Sequence, residues 1–272
     1  MNKYFFYALA ITVALFSCSN LQNSTNGKFA VDNIVVCDTL EYNNLTLYFE
    51  AQLPIFPSIK NEELLYSIYN HSFDFFGTSV SLSNFMPKSY SKEALNQSLL
   101  AWEELFFSDL KRDFIDIDEV VNYDYYVDIQ STFFNENLLS LVKTEDGYLG
   151  GAHGFLDIQH KNFDLKTNKE IHNTDIFKDI TDTVFETLLV QYFNNEYAED
   201  SLMSECLFDE FTEKIPLNDN FYFDKDKIYF IYNQYEITPY SCGVIEFSLP
   251  FDEITEYLKP EFLERLKEYF LK

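Results

Sequence analysis

The segment from Gly150 to Gly154 combines backbone freedom with a titratable side chain. Three of the seven glycines of the chain are Gly150, Gly151 and Gly154, and His153 stands among them. Glycines concentrated between two predicted strands indicate positive φ angles, a bulge, or close approach of a partner to the main chain. His153 could then present its ring from a fixed loop. A tight structural turn, with His153 bonded to its own backbone, explains the same pattern, and both interpretations stay open.

A second group of polar aromatic residues lies between Tyr235 and Gly243, where Glu236 stands between two tyrosines and Pro239 precedes the second. Tyrosine rings and hydroxyls can contact a ligand, or they can cap a hydrophobic core. We expect the two segments to meet and to form one contact surface. Its predicted residues are Tyr148, Gly150, Gly151, His153, Tyr235, Glu236, Pro239 and Tyr240.

The sequence contains few other candidates for chemistry. No nucleophile elbow, zinc-protease helix, phosphate loop or EF-hand spacing occurs, and no nucleophile stands with an obvious base. We therefore predict no catalytic residue, no metal and no cofactor. The alternative is an enzyme acting on envelope polysaccharide, with Glu236 and His153 as acid and base. The remaining candidates are predicted to be structural or solvated: His71, His160, His172 and the acidic run Asp113, Asp116, Asp118 and Glu119.

Hydrophobic periodicity predicts the elements that must position these residues. Strands are expected near residues 34–36 and 45–49, and Asn61 and Ser91 each stand where they could cap a helix. From residue 123 the period changes to that of strands. Turns are predicted at 135–137 and 145–147, strands at 155–165, 221–232 and 244–249, and helices after Thr181 and at Pro260.

These elements predict an α+β fold of two units in series, residues 30–120 and 121–272, with an antiparallel sheet and helices packed on one face.

The first residues predict an envelope location. Residues 4–16 form an apolar run after Lys3, too short for a spanning helix but suited to a signal peptide. Because Ser17 and Cys18 end this run, residues 1–18 are interpreted as a lipoprotein signal peptide with Cys18 as the lipidated residue. A plain signal peptide is the alternative. Residues 19–29 read as a flexible tether, so we expect a membrane-anchored, periplasmic or outer-membrane-associated lipoprotein.

Charge restricts the class of partner. The chain has 19 Lys and Arg against 45 Asp and Glu, a formal net charge of −26. Such a surface repels nucleic acid and attracts cationic proteins, although solubility alone also explains it. Cys37, Cys206 and Cys242 permit at most one internal disulfide, whose members the sequence leaves open.

Several of these segments together resemble a known extracytoplasmic family. They are residues 147–154, 162–171, 175–177 and 235–240 with Gly243. They are similar to the C-terminal sensor domain of RsiV, the lysozyme-sensing anti-sigma factor. Residues 30–120 resemble the domain that precedes it and that also begins PdaC-type peptidoglycan deacetylases. Leu149 and Asn168 depart from the usual Thr and Gly of the family motifs.

Anti-sigma activity is not expected, because family members with that activity carry a cytoplasmic segment and a spanning helix, whereas here three residues precede the apolar run of the predicted signal peptide. The resemblance alone does not determine the function, and the negative charge and the two motifs favour binding, while a purely structural role stays open. We therefore expect a lipid-anchored envelope protein that binds a cationic, lysozyme-like protein or a cell-wall glycan. Its contact with the membrane is expected through the lipid alone, and nucleic acid is not an expected partner.

Overall fold

The computed structural model describes residue 29 and residues 31–75, 86–113, 119–178 and 183–270. The predicted signal peptide with Cys18, the tether up to residue 28, Asp116, Asp118 and the proposed cap Thr181 lie outside the described residues. The α+β prediction is confirmed, since the described chain contains a six-stranded sheet, a three-stranded sheet and five α-helices.

The first elements follow the predicted periodicity. Two long strands form an antiparallel hairpin, and two helices come after them. The Asn61 side chain accepts a hydrogen bond from the Leu64 amide at 2.8 Å, and Ser91 accepts one from Ala94 at 3.2 Å, so both predicted caps are confirmed. The elements are β1 (Asp32–Tyr42), β2 (Leu45–Ile55), α1 (Glu62–Ser72) and α2 (Lys92–Asp113).

The next four strands complete the six-stranded sheet, whose order is β1-β2-β3-β4-β5-β6. They are β3 (Val121–Phe134), β4 (Leu138–Tyr148), β5 (Phe155–Asp164) and β6 (Lys169–Glu170). All neighbours pair antiparallel except β2 and β3, which are parallel because α1 and α2 return the chain to the same end of the sheet. The six-stranded sheet therefore contains strands from both predicted units, residues 30–120 and 121–272. The division into these two units stays a prediction.

The turn predicted at residues 145–147 is wrong, because these residues lie inside β4. Glu145 is fully buried and forms a 2.8 Å ion pair with the equally buried Lys143. It also accepts a hydrogen bond from the Tyr125 hydroxyl at 2.5 Å. Glu145, Asp146 and Gly147 resemble a turn in sequence, but here the Glu145 charge is matched inside the protein and Asp146 is exposed next to it on the strand.

The remaining elements form a smaller layer around an antiparallel sheet of order β7-β8-β9. The predicted hairpin around residues 224–227 and the placement of Pro260 in the first turn of the last helix are both confirmed. The elements are α3 (Asn173–Ile176), α4 (Thr183–Glu196), β7 (Phe221–Phe223), β8 (Lys227–Tyr232), β9 (Ile245–Pro250) and α5 (Pro260–Tyr269). Within the described residues, no helix combines the length and apolar character needed to cross a membrane.

Two hydrophobic clusters hold these layers. The first packs α1 and α2 on one face of the six-stranded sheet, with Trp102 against Phe49 and Phe106 at centroid distances of 5.4 and 5.0 Å. The second packs α4 and α5 around the three-stranded sheet, with Phe193 and Phe247 among its fully buried members. Because strand side chains alternate, β4 contributes to both clusters, with Leu139 in the first and Leu138 in the second.

The outer edge of β5 joins the two sheets through two asparagine side chains. The Asn220 oxygen accepts from the His160 amide at 2.8 Å, and its nitrogen donates to the Ile158 carbonyl at 2.7 Å. The Asn233 oxygen accepts from the Ile158 amide at 2.8 Å, and its nitrogen donates to the same carbonyl at 3.0 Å. Asn220 and Asn233, called here the asparagine bracket, thus replace a strand along an edge that β6 covers for only two residues.

Replacing Asn220 with alanine should lower the free energy of unfolding by about 1–3 kcal/mol, because the substitution removes both bracket bonds of Asn220 and leaves the His160 amide without this acceptor. Urea denaturation measures the change. Asn122→Ala, which shortens an exposed asparagine on β3, is the matched control and should change the free energy by less than about 0.5 kcal/mol. Equal effects of the two substitutions would contradict the proposed role of the bracket.

Candidate functional site

The glycine loop between β4 and β5 uses the positive φ angles that its sequence predicts. Gly150 has φ +98° and Gly151 has φ +84°. A Cβ at Gly150 would also lie only 2.7 Å from the Tyr123 hydroxyl. The Tyr148 hydroxyl donates to the Gly151 carbonyl at 2.9 Å and closes the loop from the side of β4. The loop is therefore a defined turn that only glycine fits without strain.

His153 is held by contacts on both ring nitrogens. Nδ1 lies 2.7 Å from the Gly154 carbonyl oxygen, and Nε2 lies 3.1 Å from the Tyr235 hydroxyl. Because a carbonyl oxygen only accepts, Nδ1 carries a proton, and in the neutral ring Nε2 accepts from Tyr235. The ring also stacks on Tyr240, with centroids 3.7 Å apart. Both interpretations from the sequence therefore apply to His153. Its ring bonds the local backbone at Gly154, and it also contacts the distant residue Tyr235.

Tyr235 occupies an unusual backbone conformation for a residue with a side chain. Its φ is +70°, and its amide donates to the Thr238 carbonyl at 3.0 Å. The Glu236 amide donates to the Asn233 carbonyl at 3.1 Å, so a tight turn follows the asparagine bracket directly. Non-glycine residues in this region carry strain, and such positions concentrate at functional sites. The turn from Asn233 to Thr238 therefore fixes the direction of Tyr235.

A disulfide between Cys206 and Cys242 resolves the alternative that the sequence left open, and Cys37 is not part of a disulfide. The disulfide fixes the C-terminal end of the Tyr235–Gly243 segment through Cys242. Pro239 precedes a short 3₁₀ turn, Tyr240–Cys242, in which the Cys242 amide donates to the Pro239 carbonyl at 3.0 Å. Tyr240 is thus held between a proline and a disulfide, which limits the motion of its ring.

The two segments singled out in the sequence therefore meet. Tyr148, His153, Tyr235 and Tyr240 form what we call the aromatic patch. Tyr235 and Tyr240 lie 6.0 Å apart between ring centroids, and Tyr235 is 59% exposed. An exposed, fixed group of tyrosines around a histidine offers amphipathic contact area at low cost in conformational entropy.

Glu236 does not join this patch. It lines a cleft of about 340 Å³, called here the polar cleft, to which no residue of the aromatic patch contributes. Both ring nitrogens of His153 have partners other than Glu236, so the predicted acid–base pair is not in hydrogen-bond contact. The residues that line the cleft are Asp157, Gln159, His160, Lys161, Asn218, Asp219, Asn220, Asn233 and Glu236.

Sequence reasoning missed most of the polar cleft. His160 was predicted to be structural, and it is indeed buried against Tyr222, with ring centroids 4.7 Å apart, but it also lines the cleft. One feature of the sequence could have indicated the cleft, namely the run Asn218-Asp219-Asn220. Adjacent polar side chains before a strand can form hydrogen bonds with a neighbouring backbone.

Carboxylates adjoin two members of the aromatic patch, Tyr148 and Tyr235. In the cleft, burial raises the pKa of Glu236 and of Asp157, and the charge of Asp157 adds to the shift at Glu236. On the side of β4, burial raises the pKa of Asp124 and Asp146. Asp124 accepts a hydrogen bond from the Tyr148 amide at 3.1 Å, so it adjoins the patch. These carboxylates favour a cationic ligand.

The described parts of the chain contain no group of three or more His, Cys, Asp or Glu side chains arranged to hold a metal ion. The chemistry that the patch and the cleft do offer is stacking, hydrogen bonding and attraction of positive charge.

Removing the disulfide should loosen the patch. Because it closes a loop between residues 36 positions apart, Cys206→Ser with Cys242→Ser should lower the free energy of unfolding by about 3–4 kcal/mol. Amide hydrogen exchange at residues 240–243 should accelerate as well. Cys37→Ser is the control and should leave the exchange unchanged. Unchanged exchange in the double variant would contradict a role of the disulfide in fixing Tyr240.

Burial lowers the pKa of His160 to about 4, below its ordinary value of 6.5. As pH falls through this interval, the unfolded chain takes up a proton before the folded chain does, so stability is full above 6.5 and declines towards 4. His160→Gln should remove this contribution, up to about 3 kcal/mol between the two pH values. Urea denaturation of both proteins at pH 7.5 and 4.5 measures the difference, and parallel losses would contradict it.

Comparison with known proteins identifies the fold. Residues 174–252 match the sequence profile of a family described as "Protein of unknown function (DUF3298)". A crystal structure of a DUF3298 family member from Bacteroides fragilis is 21% identical, with a TM-score of 0.65 over 89% of this chain and 98% of that one. A second member, from Pseudomonas aeruginosa, is 16% identical, with a TM-score of 0.57 over 88% and 98%.

No curated protein matches the chain significantly. The chain therefore contains a segment that matches the DUF3298 profile, within a fold that it shares with solved DUF3298 proteins.

Proposed function

We propose that this chain is a binding protein of the bacterial cell envelope, anchored by a lipid on Cys18, and that it recognises a cationic protein of the lysozyme type. The observation that carries this proposal is the convergence of the glycine loop and the Tyr235–Tyr240 segment in one exposed aromatic patch.

The patch has the composition of a protein-binding surface. Tyrosines dominate binding energies at interfaces because a rigid ring buries a large area and its hydroxyl finds a polar partner. Here the rings are fixed in advance by the Tyr235 turn, the stack of His153 on Tyr240, and the disulfide at Cys242. Such preorganisation reduces the entropy lost on binding.

The charge of the chain supports a cationic partner. Asp124 bonds the Tyr148 amide and Asp146 lies close to Asp124, while Glu236 follows Tyr235 directly and shares the polar cleft with Asp157. With a net charge of −26, the chain would attract a basic protein at long range and accelerate its association. The resemblance of the loop and tyrosine motifs to the RsiV sensor family supports a lysozyme-type partner over other basic proteins.

A cell-wall glycan is the second candidate. Its support is the polar cleft beside exposed tyrosine rings, because planar amides and carboxylates can bond neighbouring hydroxyls while a ring contacts the sugar face.

Binding of purified c-type lysozyme to the full chain, measured by calorimetry, tests the proposal. Tyr235→Ala should weaken binding about tenfold or more, since it removes a central ring and the hydroxyl that bonds His153. Tyr66→Ala removes a similarly exposed tyrosine from α1 and should leave the affinity unchanged. Affinity for the unmodified chain should also fall as salt rises.

Cytochrome c, which is also strongly basic, controls for charge alone. Equal affinities for lysozyme and cytochrome c, or equal effects of the Tyr235 and Tyr66 substitutions, would overturn the proposal. Binding of soluble peptidoglycan fragments without binding of lysozyme would replace it with the glycan candidate.

A further inference from the structure

The polar cleft has an excess of negative charge that the protein does not neutralise. Lys161, the basic residue of its lining, is engaged with Glu170 at 2.7 Å, and Asp219 lies 3.3 Å from the His172 ring. Among the described residues, neither Asp157 nor Glu236 forms an ion pair. Lys143 partly offsets the charge of Asp157, but the three carboxylates of the lining, Asp157, Asp219 and Glu236, outnumber its one basic side chain, so the cleft favours a cation.

The wall of the cleft also contains a ring nitrogen without a partner. His160 is only 9% exposed, and its Nδ1 has no hydrogen-bond partner within the described chain. Because its pKa lies near 4, the ring is neutral at physiological pH, and Nδ1 is an acceptor in the tautomer that is protonated at Nε2. Buried polar atoms without partners are rare in folded proteins, and in this tautomer a donor from a ligand would satisfy Nδ1.

The other polar groups of the cleft are fixed in place. The amide groups of Asn220 and Asn233 are held in the asparagine bracket, and Asn218 donates to the Ile231 carbonyl at 2.7 Å. Asp157 accepts from Gln159 at 2.8 Å, which orients its carboxylate. A ligand would therefore meet preorganised acceptors and would not have to order them.

These features suit one chemical group best. A guanidinium presents five planar donors and no acceptor, and it is more weakly hydrated than an ammonium group. It can bond several acceptors around a cleft at once, whereas an ammonium group acts as a point charge. The space of about 340 Å³ also admits the aliphatic stem that carries it.

We propose that the polar cleft is a binding site for a guanidinium group, carried by an arginine side chain of the cationic partner. This inference rests on the proposed function for the identity of the carrier. Because Tyr235 and Glu236 are adjacent in one turn, the arginine would enter the cleft while the surrounding partner surface covers the aromatic patch.

The probe is N-acetylarginine amide, titrated into the isotope-labelled full chain and followed by amide NMR. Saturable shifts should appear at Ile158, Asn220 and Asn233, with a dissociation constant in the millimolar range, on the order of 4 kcal/mol of binding free energy. The isosteric but uncharged N-acetylcitrulline amide should produce no saturable shift, and N-acetyllysine amide should bind several-fold more weakly.

Two substitutions test the carboxylates. Glu236→Gln and Asp157→Asn should each weaken binding of the arginine probe about tenfold, because each removes a charge-assisted contact. Glu261→Gln, at an exposed carboxylate in the first turn of α5, is the matched control and should bind normally. Citrulline binding equal to that of arginine, or unchanged binding in both cleft variants, would overturn the inference.

The two proposals fail separately. If the arginine probe binds but lysozyme does not, the proposed function is wrong and the preference of the cleft for guanidinium stands. If lysozyme binds with an affinity that Glu236→Gln leaves unchanged, the cleft does not receive its arginine and the proposed function stands. Tyr235→Ala should weaken lysozyme binding and leave binding of the arginine probe unchanged.

Discussion

The arrangement of the site depends on the hydrogen bonds by which the asparagine bracket completes the edge of β5. Asn233 bonds Ile158, only five residues after His153, and the Tyr235 turn begins at Asn233 itself. This single contact therefore sets where the second segment lies relative to the glycine loop. The side chains of Asn220 and Asn233 also line the polar cleft, along the part of the β5 edge that β6 does not cover. Sheet continuity and site geometry thus have a common cause.

Local patterns allowed much of the fold to be predicted. The helix caps at Asn61 and Ser91 and the hairpin around residues 224–227 follow from residue types close together in sequence. The contact between the glycine loop and the tyrosine segment joins residues 82 positions apart, and local patterns marked the two segments without determining that they meet. The parallel pairing of β2 with β3 joins strands separated by two helices, and periodicity carries no information about it. The turn expected at residues 145–147 failed because a buried Lys143–Glu145 pair is indistinguishable in sequence from an exposed charged turn. The lining of the cleft is assembled from three separate segments, so no local motif marked it.

Similarity to solved DUF3298 structures extends over nearly the whole described chain but concerns the backbone alone, at 16–21% identity. A shared fold does not determine an activity, which depends on particular side chains at a particular site. For this chain those side chains are the tyrosines and His153 of the aromatic patch and the carboxylates of the polar cleft, which meet at the Asn233–Thr238 turn. The functional argument therefore rests on this turn more than on the similarity.

The positive φ of Tyr235 has a consequence for how one partner can use both contact regions. A residue held in a strained conformation by a short turn cannot adjust independently of its neighbours. Because the turn is already ordered, a partner that contacts Tyr235 would hold its adjacent side chain next to Glu236 at a high effective concentration. One preformed six-residue turn would then combine two weak contacts of the same partner without any movement of the sheets.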